Sequence, residues 1–304
     1  MAEWACSGLQ IRVRRFDSGL SLQIKVMKVG IVGFGFVGKA LFSGIKDSVE
    51  IIKIDPALNT KISDLIAFNP DFVFICVPTP MQNDGNQDIS ILEAVFEEIK
   101  CSELETNLIL KSTVTPDNLE ILNEKLKFVY NPEFLREKTA DSDFINSELI
   151  LFGGEKDLCK TASSFYLNFT LCKQKDHFHT DLKTASFVKY TINTFLALKV
   201  TFFNQLFELM QPISKEDWGK FIKIVSADKR IGNSHMSVPG HDGRKGFGGA
   251  CFPKDISALR RYSEKINYDF SLINEVIKIN NQIRSVYNEP IDRERDQNIS
   301  FKKE

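Results

Sequence analysis

The sequence predicts an α/β protein in which a doubly wound, Rossmann-like parallel sheet is followed by an all-helical half. Three observations carry that reading. Apolar runs of strand length alternate with helical runs between residues 27 and 180, as expected of parallel strands joined by crossovers. Gly33-Phe34-Gly35-Phe36-Val37-Gly38 stands between the first strand and the first helix. From residue 181 the apolar spacing changes to steps of three and four and stays there.

The first 26 residues carry Arg12, Arg14 and Arg15 beside Glu3 and Asp17, without a continuous apolar stretch, and are expected to be an extension outside the fold. Met27 opens the folded part. A buried strand over 29–32 leads into the glycine run. There the first glycine makes the turn, the second admits a pyrophosphate and the third lets helix pack on strand. Gly33, Gly35, Phe36, Val37 and Gly38 therefore form a candidate dinucleotide site with the helix N-terminus facing the phosphates. A second strand, 50–54, ends at Asp55, about 20 residues beyond the glycines, where a carboxylate accepts both ribose hydroxyls. It repels a 2′-phosphate and no arginine follows it, which favours NAD over NADP. The plainer role for Asp55 is a strand-end turn residue before Pro56.

Residues 72–77 are nearly all apolar, typical of a strand covered on both faces, and end in Pro78-Thr79-Pro80. An amphipathic helix over 89–99, strands at 108–110, 128–130 and 149–152, and polar loops from Lys111 and Asn131 complete this half. Ligands of such sheets sit beyond the carboxyl ends of the strands, so Ser112, Thr113, Glu133 and Glu137 are the residues to search. Taken singly, each reads as a cap or loop residue rather than a catalyst.

A long helix over 181–210, stopped by Pro212, opens the helical half, and Lys189 and Asn193, four apart, share one of its faces, which by spacing alone reads as a solvated face. Ser214 with Asp217 signals a capping box for the next helix. A polar, glycine-bearing loop over 237–249 then delivers Gly246-Phe247-Gly248-Gly249-Ala250-Cys251-Phe252-Pro253-Lys254-Asp255. Three glycines in four positions let backbone approach a ligand, placing Cys251 against it, while Lys254 and a helix starting near Asp255 would favour the thiolate. The alternative is a small buried hydrophobe in a tight turn. Helices over 256–266 and, with Ser271 at its cap, 272–287 follow, and the charged stretch 288–304 is expected to fray. The expected division is thus 27–180, 181–287 and a polar tail, 288–304.

A formal net charge of -1 gives no electrostatic footprint for nucleic acid or an anionic membrane. No stretch approaches the roughly 20 apolar residues of a membrane span. The six cysteines form no C-x-x-C pair and read as reduced thiols of a cytoplasmic protein. The four histidines lack metal-site spacing, so no metal is expected; His177 and His179 are read as surface residues on opposite faces of a strand.

GFGFVG, VPTP, STV, NPEFLRE, K-x-x-x-N-T-F-L-A and GFGGACFPKD occur in that order, and the chain resembles the UDP-glucose/GDP-mannose dehydrogenase family over residues 27–287, its last motif most like the UDP-glucose branch. The resemblance implies a four-electron oxidation, UDP-glucose to UDP-glucuronate, with two NAD used in turn and a thiohemiacetal and thioester on Cys251. It implies that Lys189 and Asn193 stabilise an oxyanion and that Glu133 serves thioester hydrolysis, with Thr113 and Asp255 holding the water. Thr79, Thr113 and Glu137 would line the NAD site. Gly248, Lys254 and Arg230 would face the UDP-sugar, together with Glu133, Lys189 and Asn193, Arg230 reaching from a neighbouring subunit. The helical half would be a dimerisation domain, making a homodimer or higher homo-oligomer. The family normally continues into a second nucleotide-binding-like domain that supplies much of the UDP pocket, so that pocket is expected to be incomplete on this sequence. GDP-mannose or another nucleotide sugar, a two-electron hydroxyacid dehydrogenase that does not need Cys251, and a non-catalytic NAD-binding dimerisation module remain alternatives.

Overall fold

The computed structural model describes residues 26–302; the extension expected over 1–26 lies, but for its last residue, outside them. Seven strands form one sheet: β1 (Lys28–Val32), β2 (Glu50–Ile54), β3 (Phe72–Ile75), β4 (Asn107–Leu110), β5 (Val129–Tyr130), β6 (Leu151–Gly153) and β7 (Phe178–Thr180). Their order is β2-β1-β3-β4-β5-β6-β7. The chain leaves β1 to one side for β2 and to the other for β3, which places the topological switch point between β1 and β3.

Alternation along the central strands feeds two cores. Val73 and Ile75 of β3 and Leu108 and Leu110 of β4 face one cluster, while Phe72, Phe74 and Ile109 face the other. Helices α1 (Phe36–Gly44), α2 (Asp64–Phe68), α3 (Ser90–Cys101), α4 (Pro116–Lys125), α5 (Ala140–Ile145) and α6 (Lys156–Phe169) belong to this half. Leu92 and Phe96 of α3 and Leu119 and Leu122 of α4 cover the first face. Ala40 and Leu41 of α1 and Phe165 of α6 cover the second.

The sheet is parallel with one reversal: β5 and β6 pair antiparallel through Tyr130 and Gly153, and β7 then runs parallel to β6. The only α-helix between β5 and β6, α5, packs on α1 rather than across the β5 edge, so the chain re-enters the sheet from its other end. The rings of His177 and His179 both lie against Phe152, His177 half-buried and bonded to Ser163. The opposite-face expectation for this pair fails because residues two apart share a strand face.

α7 (Leu182–Met210) carries the chain from the sheet into the helical half, capped by Asp181, which accepts from the Thr184 N–H at 2.9 Å. α8 (Trp218–Val225) is capped by Asp217 rather than opened at Ser214, whose hydroxyl instead accepts from the Glu216 N–H. α9 (Phe252–Lys265) begins earlier than expected because Pro253 presets its first turn, making Cys251 the N-cap residue. α10 (Ser271–Arg284) has Phe270, not Ser271, at its N-cap. Tyr190, Ala197, Phe247, Ile256, Leu259 and Ile273 form a third core here. The segment expected to fray is docked: α11 (Asp292–Arg295) buries Glu294 completely, and Ile299 is buried beyond it. No helix of the described residues is long and apolar enough to cross a membrane.

Candidate functional site

At the switch point the glycine turn has two tight residues around one open one. Gly33 lies at φ +88 with Cys76 backbone 2.8 Å from where a Cβ would sit, and a Cβ on Gly38 would strike the Gly33 carbonyl. Gly35 has nothing within 4 Å of that position. No side chain caps α1, so its first-turn N–H groups, at Phe36 and Val37, are open to an anion. Asp55 takes the Phe34 N–H at 2.6 Å through Oδ2 and the Ala57 N–H at 2.9 Å through Oδ1. It is thus both a turn residue and a carboxylate fixed beside the glycine turn. The open Gly35, the uncapped start of α1 and the fixed Asp55 carboxylate leave a cradle of the kind expected for a dinucleotide, which Gly33, Gly35, Phe36, Val37, Gly38 and Asp55 would hold.

The loops after β3, β4 and β5 converge next to it. Thr79 Oγ1 donates to the Thr113 carbonyl at 2.9 Å, and the Ser112 hydroxyl donates to the Val77 carbonyl at 2.6 Å, so these two loops brace each other. Gln87, which sequence reasoning passed over, donates to the same Thr113 carbonyl at 2.8 Å. Lys111, also passed over, is buried at the end of β4 and donates to Asn131 Oδ1 at 2.8 Å, fixing the loop that carries Glu133. A lysine closing an apolar strand was the available signal. Burial lowers its pKa.

α7 brings Lys189 and Asn193 onto these loops. Lys189 Nζ donates to the Glu133 carbonyl at 2.5 Å and to Oε1 at 3.0 Å, both side chains being almost wholly buried. Burial works against both charges, but Lys189 holds the Glu133 carboxyl below its ordinary pKa, and Glu133 with Asp255 holds the ammonium above its own. Each keeps the other ionised. Asn193 Nδ2 donates to Asp255 Oδ2 at 2.6 Å, and Lys254 Nζ meets Asp255 Oδ1 at 2.5 Å.

Cys251, partly exposed, is electrostatically coupled to all four charges. Burial, then Glu133 and Asp255, push its pKa up to about 11 against the weaker pull of Lys254 and Lys189. This reverses the expectation of a resting thiolate. Lys254 is neutralised by its own neighbour Asp255, so its charge does not reach the sulfur undiminished.

Three further candidates stand apart from the cluster. Gly248 packs under the loop against Arg284 and Glu294, and Gly246 against Asn280, so these glycines accommodate protein rather than ligand. Glu137 is paired with Arg293 at 2.5 Å. Arg230 is 88% exposed in its side chain and pairs with Asp228. It makes no contact with the Cys251 cluster.

Residues 57–170 match the UDP-glucose/GDP-mannose dehydrogenase family, NAD binding domain, and residues 183–282 the same family's central domain. UDP-glucose 6-dehydrogenase of Campylobacter jejuni subsp. jejuni serotype O:2 is 32% identical over 292 residues, covering 84% of this chain and 72% of that protein. The chain belongs to the UDP-glucose/GDP-mannose dehydrogenase family. A second family member, UDP-glucose 6-dehydrogenase YwqF of Bacillus subtilis (strain 168), is 30% identical over 227 residues, 69% of this chain and 48% of that protein. The chain thus spans about half the length of that curated relative and 65% of one from Rickettsia felis. Among solved structures, a UDP-glucose dehydrogenase from the archaeon Pyrobaculum islandicum superposes with a TM-score of 0.69 at 24% identity, over 87% of this chain and 70% of that one. That likeness confirms the fold.

Proposed function

We propose that this family member oxidises the primary alcohol of a UDP-sugar, UDP-glucose first, to a carboxylate with two NAD molecules used in turn. The observation that carries this reading is a thiol at the N-cap of α9 coupled to the buried pair Lys189–Glu133 and the largely buried pair Lys254–Asp255, the second also held by Asn193. NAD, when bound, supplies the hydride acceptor for both oxidations.

The first oxidation leaves an aldehyde that must be retained. The Cys251 sulfur adds to its carbon and the thiol proton passes to the oxygen, giving a thiohemiacetal. Loss of a hydride and the hydroxyl proton leaves a thioester. Water then adds, the C–S bond breaks and the thiol is restored. In sum, the alcohol, two NAD and one water give the carboxylate, two NADH and three protons. The Lys189 ammonium, kept charged by Glu133, and the Asn193 amide stabilise oxyanion character at the reacting carbon. Glu133, ionised, is the base for the hydrolytic water, with Thr113 and Asp255 orienting it. The Asp55 carboxylate selects NAD, and Thr79, Thr113 and Glu137 line its cleft. Lys254 and Arg230 face the UDP-sugar phosphates, Arg230 from a second subunit, which agrees with its exposure here.

A homodimer is supported by α7, whose Phe195, Phe202 and Leu209 are more than half exposed. A cytoplasmic setting suits the free thiols and the cofactor.

The test is NADH release from purified protein given NAD and UDP-glucose or GDP-mannose, beside Cys251→Ala. Two NADH per UDP-glucose, lost in the variant, is expected. One NADH per substrate, with Cys251 dispensable, would indicate a two-electron dehydrogenase; NAD binding without turnover of either sugar would leave a non-catalytic module.

A further inference from the structure

Two adjacent residues of the docked C-terminal segment reach opposite sides of the site. Glu294 is fully buried: its Oε1 accepts from Arg284 Nη2 at 2.6 Å and from the Gly249 N–H at 3.1 Å, and its Oε2 from the Ile291 N–H at 2.9 Å. Arg284 in turn reaches Asp242 Oδ2 at 2.8 Å. Gly249 lies two residues before Cys251, so this carboxylate holds the cysteine loop from beneath. Arg293 faces the other way. Its Nε meets Glu137 Oε1 at 2.5 Å, and its guanidinium carbon stands 5.4 Å from the centre of the Phe36 ring, the first residue of α1. The Met81 N–H donates to the Gln297 carbonyl at 3.1 Å, tying the same segment to the loop after β3.

The two anchors differ in kind. The Arg293–Glu137 pair is exposed on both sides, and such pairs are weak. A guanidinium prefers the two-point contact that a phosphate offers, and the uncapped N-terminus of α1 is where a diphosphate would lie. The Arg284–Glu294 pair cannot open in the same way, because without Arg284 the fully buried Glu294 carboxylate would keep only the Gly249 and Ile291 N–H groups as partners. One end of α11 is therefore switchable and the other fixed.

We propose that Arg293 is an additional contact for the dinucleotide diphosphate and Glu294 a positioning residue for Cys251, so that α11 couples occupancy of the dinucleotide cleft to the cysteine loop. This rests on the dinucleotide-binding reading given under the proposed function. When the diphosphate takes Arg293 from Glu137, the exposed side of α11 is released while Glu294 stays anchored, and the change reaches the cysteine loop through the Glu294–Gly249 hydrogen bond.

The experiment uses the full chain as wild type, Arg293→Ala, Arg293→Lys and Glu294→Gln, with NAD alone as the probe. NAD affinity is read by calorimetry. Iodoacetamide alkylation of Cys251, with and without saturating NAD, is read by peptide mass spectrometry, with exposed Cys101 as the reference in the same molecule. Arg293→Ala is expected to weaken NAD by about tenfold, the scale of one charge-assisted contact. It should leave Cys251 alkylation without NAD unchanged and abolish the change that saturating NAD produces in the wild type. Arg293→Lys should recover part of the affinity. Glu294→Gln should speed Cys251 alkylation without NAD and leave Cys101 unaffected. The coupling is overturned by wild-type NAD affinity in Arg293→Ala, by an NAD-induced change in alkylation that survives in it, or by no such change in the wild type. If Glu294→Gln folds and alkylates Cys251 at the wild-type rate, the positioning role falls; if it does not fold, the surface Arg293 variants still decide the coupling. A wild type that does not bind NAD overturns the underlying reading first, in an arm that contains no variant.

Discussion

Two glycine-rich turns each lead into a helix, Gly33–Gly38 into α1 and Gly246–Gly249 into α9, and they use glycine for opposite purposes. In the first, Gly33 and Gly38 fold the turn tightly on itself so that Gly35 faces open space. In the second, Gly246 and Gly248 admit the side chains of Asn280, Arg284 and Glu294, while Gly249 is left open above them. One turn makes room for a ligand, the other for a buried support that holds a thiol. A glycine run thus announces close approach without saying what approaches.

Alanine at four of these glycines sharpens the contrast. Gly248→Ala should cost most: its Cβ would fall on Arg284 and Glu294, both fully buried, and breaking such a pair costs about 3–5 kcal/mol. A denaturant midpoint matching the wild type would remove the support from the account. Gly38→Ala, whose Cβ would strike the Gly33 carbonyl, should cost about 1–3 kcal/mol and lose NAD binding as well. Gly249→Ala carries no clash but sits at φ +76, so chemical denaturation should show a loss of about 1–2 kcal/mol. Gly35→Ala should fold within about 0.5 kcal/mol of the wild type, while calorimetry shows weakened NAD binding. Equal effects at Gly35 and Gly248 would erase the distinction between the turns.

The thiol gives a pH test of the second turn. With its pKa pushed up to about 11 from an ordinary 9.0, folded Cys251 keeps its proton in a window where the unfolded chain loses it. The native state binds more protons there, so this group's contribution to stability falls as pH rises from 9 to 11. The alkylation rate of resting Cys251 should likewise climb through that window. A plateau already at neutral pH would mean a resting thiolate.

Much of this was legible in the chain. The glycine turn, Asp55 and the loops bearing Thr113 and Glu133 follow from strand–loop–helix order; spacing puts Lys189 and Asn193 on one helix face but reads that face as solvated, and only the family motif and the fold show it buried. What was not legible depends on tertiary pairing. Lys254 looked like a cation serving Cys251, but the adjacent Asp255 takes it at 2.5 Å and adds its own negative charge. Glu294 lies in a charged stretch without apolar periodicity, which reads as solvated; only the fold shows Arg284 waiting for it. β7 has three residues and little burial, too short for alternation to mark, and the reversal at β6 depends on where α5 packs.

The central claim is that Cys251 carries the substrate between the two oxidations. Its most direct test is to quench the protein during turnover of UDP-glucose with NAD and weigh the peptide containing Cys251. The account predicts an acyl adduct of the oxidised UDP-sugar on that sulfur, absent when either substrate or NAD is omitted. Sustained formation of two NADH per UDP-glucose with Cys251 unmodified throughout, or undiminished in Cys251→Ser, would contradict it.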